Sequence, residues 1–202
     1  MKPTVIRKLC QRVRRDCVSH DAALMVNGAI KSIGEGTEGS VYLQKHMLEG
    51  VEVADVAIGP WHMAVLTTDG IFMGWGWYQG PSWGGDPRWG AAPPEFSNVV
   101  AIAAGTDFTV ALKSDGTVIE WDTEGKQRPT RSLGLTDVIA IAAGKYHALA
   151  LKRDGTVIAW GIDSHGRSQR VPDRMQHDVV DIAACGSVSM VRKADGYVGI
   201  WE

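Results

Sequence analysis

Residues 137–161, DVIAIAAGKYHALALKRDGTVIAWG, say again what residues 98–122, NVVAIAAGTDFTVALKSDGTVIEWD, have already said, with the same internal spacing. A chain that repeats itself over such a length builds one structural unit more than once, and a fixed period restricts the fold to repeat architectures. Asn27-Gly28, Asp69-Gly70, Asp115-Gly116, Asp154-Gly155 and Asp195-Gly196 mark five such units, roughly 40 residues apart. Five positions after these glycines stand Ile33, Trp75, Trp121, Trp160 and Trp201. Eight before them stand His20, His62, Phe108, His147 and Val188, and eleven before them Cys17, Gly59, Gly105, Gly144 and Cys185. The frame holds, so insertions fall between the units.

Each unit reads as three antiparallel strands. VIAIAAG is a short strand whose alanines and glycine suit a place where backbones converge; HALALK and TVIAWG alternate, and RDG turns between them. An Asp-Gly or Asn-Gly pair between alternating runs predicts a type I′ hairpin, with positive φ at both central residues. A fourth strand is expected in the variable stretch after each unit, as in RPTRSLGL at 128–135. Units of that length with four short strands are the pattern of propeller blades, with the Ala/Gly strand innermost and the Trp filling the wedge between neighbours.

The pattern predicts an all-β fold: one domain over 1–202, a five-bladed β-propeller with units at about 10–50, 51–97, 98–136, 137–177 and 178–202. The last unit stops after its third strand, whereas the chain opens with KPTVIRKL. Residues 2–9 are therefore expected to complete the last blade, closing the ring and removing an exposed sheet edge.

The combination of two hydrophobics, Ala-Ala-Gly, two residues, His, an alternating strand, Asp-Gly and an apolar strand ending Trp-Gly resembles the regulator of chromosome condensation repeat, over nearly the whole chain. The resemblance implies seven-bladed propellers that act mostly by binding other proteins. This chain departs from it in having five units and in a degenerate first unit, with RVRRDC where others have VAIAAG or a near relative.

Composition narrows function. A chain that is 45% hydrophobic and 22% charged has ordinary globular composition, which excludes disorder. The net charge of −2 disfavours nucleic acid as a partner through overall charge. Cys10, Cys17 and Cys185 have no metal-ligand spacing and are odd in number, which favours a reducing compartment. The start lacks an apolar signal core and no apolar run of about 18 residues occurs, so the chain is read as soluble, cytoplasmic or part of an intracellularly assembled particle, with no membrane contact.

His20, His62 and His147 occupy one position in successive units, so a ring separates them; they read as strand-start hydrogen-bond partners, and no metal is expected. The Asp-Gly acids read as turn chemistry. Nucleophile-elbow, zinc-protease and phosphate-loop motifs are missing, so no catalytic residues, cofactor or enzyme activity are expected. Two features escape the repeat. One is basic: Arg12, Arg14 and Arg15 early, with Arg167, Arg170 and Arg174 late, which seam closure would bring into one patch. The other is the insertion WYQGPSWGGDPRWGAAPP at 77–94. Trp77, Tyr78, Trp83, Arg88 and Trp89 there, with Trp61 nearby, are residue types enriched at binding hot spots. The expected role is a non-catalytic protein-binding scaffold, with a protein partner or a place as a subunit of an assembly. The alternative is saccharide recognition or a virion-type structural protein that uses the Trp-rich loop.

Overall fold

The computed structural model describes residues 6–10, 21–25, 30–33, 51–59, 62–76, 97–122, 134–161 and 170–202. They form five three-stranded antiparallel sheets, one per unit. The first holds β1 (Ile6–Cys10), β2 (Asp21–Met25) and β3 (Ile30–Ile33); the second β4 (Val53–Ile58), β5 (His62–Thr67) and β6 (Phe72–Gly76). The third holds β7 (Val99–Ala104), β8 (Phe108–Lys113) and β9 (Val118–Asp122); the fourth β10 (Val138–Ala143), β11 (His147–Lys152) and β12 (Val157–Gly161). The fifth is β13 (Val179–Cys185), β14 (Val188–Lys193) and β15 (Val198–Trp201). Consecutive sheets pack side by side, with the first strands of neighbours against one another, as blades do where they converge.

The repeated residues sit in one register. Ala148 faces Trp160 across β11 and β12 as Thr109 faces Trp121 across β8 and β9. Every first strand bulges at its second residue: between Ile6 and Lys8, Val53 and Asp55, Val99 and Ala101, Val138 and Ala140, and Val179 and Asp181. One extra residue at a fixed place bends the strand and re-aims its side chain.

The Asp-Gly turns differ from expectation in type. Positive φ occurs at Gly70, Gly116, Gly155 and Gly196 and not at the preceding aspartates. The Gly116 N–H donates to the Lys113 carbonyl and the Lys113 N–H to the Thr117 carbonyl. This is a three-residue loop, a type I turn followed by a left-handed glycine, and not a type I′ pair. The Asp side chain stabilises it: Asp115 Oδ1 accepts from the Thr117 N–H at 2.9 Å and from its hydroxyl at 2.6 Å, and Asp154 and Asp195 accept from the N–H of Thr156 and Tyr197. The Thr117 hydroxyl, and then its N–H, hold the Asp115 carboxyl below its ordinary range.

Asn98, Asp137 and Asp178 precede the first strands with φ near 60° (65°, 61° and 61°), a conformation Asn and Asp tolerate better than other side chains. There the turn of one sheet hooks the next: the Val138 N–H donates to the Gly116 carbonyl and the Val179 N–H to the Gly155 carbonyl.

One expectation is corrected. Ile6–Cys10 does not complete the fifth sheet; it pairs with β2 as the innermost strand of the first, Leu9 opposite Ala23 and Cys10 opposite Ala22. RVRRDC, expected for that strand, carries three arginines and an aspartate, whereas IRKLC offers Ile6 and Leu9 at that strand's positions. The stretches in which a fourth strand was expected lie mostly outside the described residues, residues 123–133 and 162–169 among them. Residues 173–175 form a single 3-10 turn whose Met175, with Val171, is buried in the gap between the fourth and fifth sheets. Gly199 leaves room for it, since a Cβ there would meet Met175 Sδ at 2.7 Å.

Candidate functional site

Among the described residues, the repeated histidines lie in the gaps between sheets. His62 Nε2 lies 2.8 Å from Thr109 Oγ1 of the following sheet, and His147 Nε2 lies 2.8 Å from Ser189 Oγ. All four residues are buried. Nδ1 of both rings has no hydrogen-bond partner among the described residues. Each ring is therefore assigned the tautomer whose Nε2–H donates to the hydroxyl, since this leaves a bare lone pair at Nδ1 and not a buried N–H. In the interface between them both members change together: Phe108 stands for His and Ala148 for the hydroxyl, and the two share one apolar cluster. Rings and glycines are matched too, since a Cβ on Gly144 would lie 2.2 Å from His147 Cε1, and on Gly105 2.1 Å from Phe108 Cε1.

Burial depresses both histidines. It brings His62 from 6.5 down to about 4, with the nearby Asp107 carboxylate opposing weakly, and it lowers His147 in the same direction. They are neutral struts at physiological pH, each confined to its own gap. Among the described residues no group of three His, Cys, Asp or Glu converges on a point. His20 lies outside the described residues.

Two further polar contacts cross gaps. Asp55 Oδ1 accepts from the Val56 N–H and Oδ2 from the Ile102 N–H of the next sheet, both at 2.9 Å. The Trp160 indole N–H donates to Glu120 Oε2 at 2.7 Å in buried surroundings. Between the second and third sheets Phe72 meets Trp121 edge-on, with ring centroids 5.0 Å apart. Backbone bonds join the loops before the second strands: the Thr106 N–H donates to the Lys145 carbonyl at 2.9 Å and the Lys145 N–H to the Gly186 carbonyl at 2.5 Å.

What remains for a partner is what the gaps do not use. At the Asp-Gly end, the bulged residues Val100, Ile139 and Val180 are half-exposed on three successive innermost strands. Neighbouring innermost strands pack together, so these side chains rim the converging end of the sheets as an apolar collar. Ile71 and Tyr197, each just after its Asp-Gly turn, expose further apolar surface at that end. The signal for the collar was present in the paired hydrophobics of NVV, DVI and DVV: two adjacent residues of a strand face opposite ways unless a bulge intervenes.

Trp61, Trp77, Tyr78, Trp83, Arg88 and Trp89, with Arg12, Arg14, Arg15 and Arg167, lie outside the described residues. Arg170 and Arg174 are described and exposed, Arg170 before the 3-10 turn and Arg174 within it, and Arg170 pairs with Asp173 at 3.4 Å. Solvent screens such a pair, leaving it little weight in stability.

Comparison with known proteins agrees with the repeat geometry. Residues 138–167 match the Regulator of chromosome condensation (RCC1) repeat. No curated protein matches the chain. Among solved structures it is similar to Prp20p from Saccharomyces cerevisiae, at 20% identity and TM-score 0.61, over 90% of this chain and 56% of that one. It is similar to human WBSCR16 at 18% identity and TM-score 0.66, over 92% and 60%, and to the ectodomain of the Physcomitrella patens receptor kinase CR4 at 17% identity and TM-score 0.62, over 93% and 52%. The chain thus spans between about half and three-fifths of the length of these three propeller-like relatives, and the likeness is one of fold.

Proposed function

We propose that this chain, built on the regulator of chromosome condensation repeat, is a non-catalytic protein-binding module of five blades that works within a larger assembly. The observation that carries this reading is the division of labour among its residues. The buried polar side chains His62, His147, Asp55 and Glu120 are spent on holding one sheet to the next. The exposed apolar side chains Val100, Ile139 and Val180 gather at the converging end of the sheets. An apolar cluster rimmed by polar turns is the anatomy of a protein contact. Prp20p, whose fold this chain shares, is described by its binding to Gsp1p and histones. That precedent supports a protein as the class of partner; which protein binds here is set by the surface residues of this chain.

The Trp-rich insertion is the proposed second contact, with Trp83, Arg88 and Trp89 as its anchors. Affinity capture from the natural source, with the wild-type chain and with Ile139→Asp, tests the reading. Ile139→Asp is expected to lose the captured protein while melting unchanged, because the side chain is half-exposed and no gap depends on it. Trp83→Ala or Trp89→Ala is expected to weaken capture by about 1–2 kcal/mol. Capture that survives Ile139→Asp and both tryptophan variants would refute the assignment.

A further inference from the structure

The four Asp-Gly turns among the described residues share a backbone and differ in one donor. In each, the glycine N–H donates at 3.0 Å to the carbonyl three residues back: Gly70 to Thr67, Gly116 to Lys113, Gly155 to Lys152 and Gly196 to Lys193. Three of the aspartates also take a threonine hydroxyl. Thr67 Oγ1 donates to Asp69 Oδ1, Thr117 Oγ1 to Asp115 Oδ1 at 2.6 Å, and the Thr156 hydroxyl to the Asp154 carboxyl. Tyr197 stands where Thr117 and Thr156 stand, so Asp195 keeps the N–H of residue 197 at 2.9 Å and has no hydroxyl donor among the described residues. All four aspartates are exposed, which leaves the hydroxyl as the difference.

That donor bears on one reaction. The glycine nitrogen can close on the aspartate Cγ to give a five-membered imide: the N–C bond forms, the C–O bond of the protonated carboxyl breaks, and its hydroxyl leaves with the nitrogen's proton as water. Glycine, with no Cβ, leaves the approach open. Water then opens the imide at either carbonyl, which returns aspartate or routes the main chain through Cγ as isoaspartate. Closure needs the carboxyl protonated, so a hydroxyl that donates to the carboxylate opposes it and also fixes the side chain's rotamer. The threonines act in this sense. They hold the carboxyls below the ordinary range, by the hydroxyl first at Asp69 and Asp115, and by the N–H and then the hydroxyl at Asp154. We infer that Asp195-Gly196 is a modification site, the described turn at which isoaspartate forms first. Its freed α-carboxylate is then a substrate for a carboxyl methyltransferase, which moves the methyl group of S-adenosylmethionine onto that oxygen and releases S-adenosylhomocysteine.

The other turns set the order behind it. Gly116 and Gly155 carry a second restraint, since their carbonyls accept the Val138 and Val179 N–H of the following sheet; Asp115 and Asp154 are therefore the slowest. Asp69 has its hydroxyl, and a Cβ on Gly70 would meet nothing within 4 Å, so it stands between. Isoaspartate at position 195 adds one carbon to the main chain of the turn and takes away the acceptor of the Tyr197 N–H. That turn sets Arg192 opposite Val198 across β14 and β15, and Tyr197 beside it is half-exposed. The modification thus reshapes the Asp-Gly end of the fifth sheet, where Val180 also lies exposed. The site follows from the turn chemistry alone and stands apart from the proposed binding role.

The test ages the full chain, folded, at slightly acid pH in water enriched in heavy oxygen, then digests it in ordinary water. Each opening of the imide adds one heavy oxygen, so the label marks what the folded chain has done, and electron-transfer fragmentation separates isoaspartate from aspartate at each turn. Labelled isoaspartate is expected to gather at Asp195 about threefold faster or more than at Asp69, since half a unit in a carboxyl's proton affinity is worth that factor. Tyr197→Thr should slow Asp195 to the rate of Asp69, whatever packs on the fifth sheet, because the comparison keeps those surroundings. Thr117→Val should raise Asp115 alone. Equal labelling at the four turns, a Tyr197→Thr variant that leaves Asp195 unchanged, or a Thr117→Val variant whose label rises at all four turns together would overturn the inference. The capture experiment with Ile139→Asp reads the binding role separately.

Discussion

Ser189→Ala, His147→Phe and the double variant test whether the His–hydroxyl pair is a matched unit. Ser189 and His147 are buried and 2.8 Å apart, so removing the hydroxyl leaves a buried imidazole N–H without an acceptor, at a cost of about 1–3 kcal/mol. His147→Phe alone leaves the Ser189 hydroxyl unpaired, at a cost of about 1–2 kcal/mol. The ring itself fits, because Phe108 occupies the same position over Gly105 that His147 occupies over Gly144. The double variant reproduces the Phe108–Ala148 contact of the neighbouring gap and is expected within about 1 kcal/mol of wild type. Independent losses would instead sum to about 3 kcal/mol, so the coupling energy is expected near 2 kcal/mol. Urea unfolding of the four proteins at neutral pH, with an unchanged denaturant slope, measures it. Additive losses, with coupling below about 0.5 kcal/mol, would refute the reasoning and make the pair a coincidence of packing.

Acid should expose the same struts: His62 titrates near 6.5 when unfolded and at about 4 when folded, so stability is full above 6.5 and falls as the pH drops from 6.5 towards 4. The loss is on the order of 3 kcal/mol from this residue, readable by urea unfolding across pH, and His62→Phe with Thr109→Ala should flatten that part of the profile. Gly144→Ala places a Cβ 2.2 Å from His147 Cε1 and 2.8 Å from the Gly186 carbonyl. The ring is pinned by Ser189 and cannot retreat, so a loss of at least about 2 kcal/mol is expected, and unchanged thermal melting would count against the strut geometry.

The units, their three strands and the inward Ala/Gly strand were legible because alternation and turn residues act locally, within the hairpin that carries them. What the sequence hid was relational. Phe108 looks like a lapse from the His pattern until Ala148, one sheet on, is seen against it. Nothing in their own strands marks Asp55 and Glu120 as acceptors, because the donors they serve, the Ile102 N–H and the Trp160 indole, lie one sheet away. The seam was misread because VIRKLC and RVRRDC both precede the second strand of the first unit, and local pattern does not measure the loop between. The collar was missed for a different reason: NVV, DVI and DVV were absorbed into the strand pattern, although adjacent strand residues face opposite ways and one hydrophobic of each pair must then point outward.

The alternation of His–hydroxyl and Phe–Ala gaps also limits how such a chain can lengthen by tandem copying. Copying residues 98–136 alone would set Phe108 against a second Thr109, and copying 137–177 alone would set His147 against a second Ala148; each junction pairs an apolar group with a polar one. Copying 98–177 as one piece brings His147 against Thr109, a hydroxyl as good as Ser189. The sequence period is one unit, but for the third and fourth units the copied piece that leaves the described gaps satisfied is two.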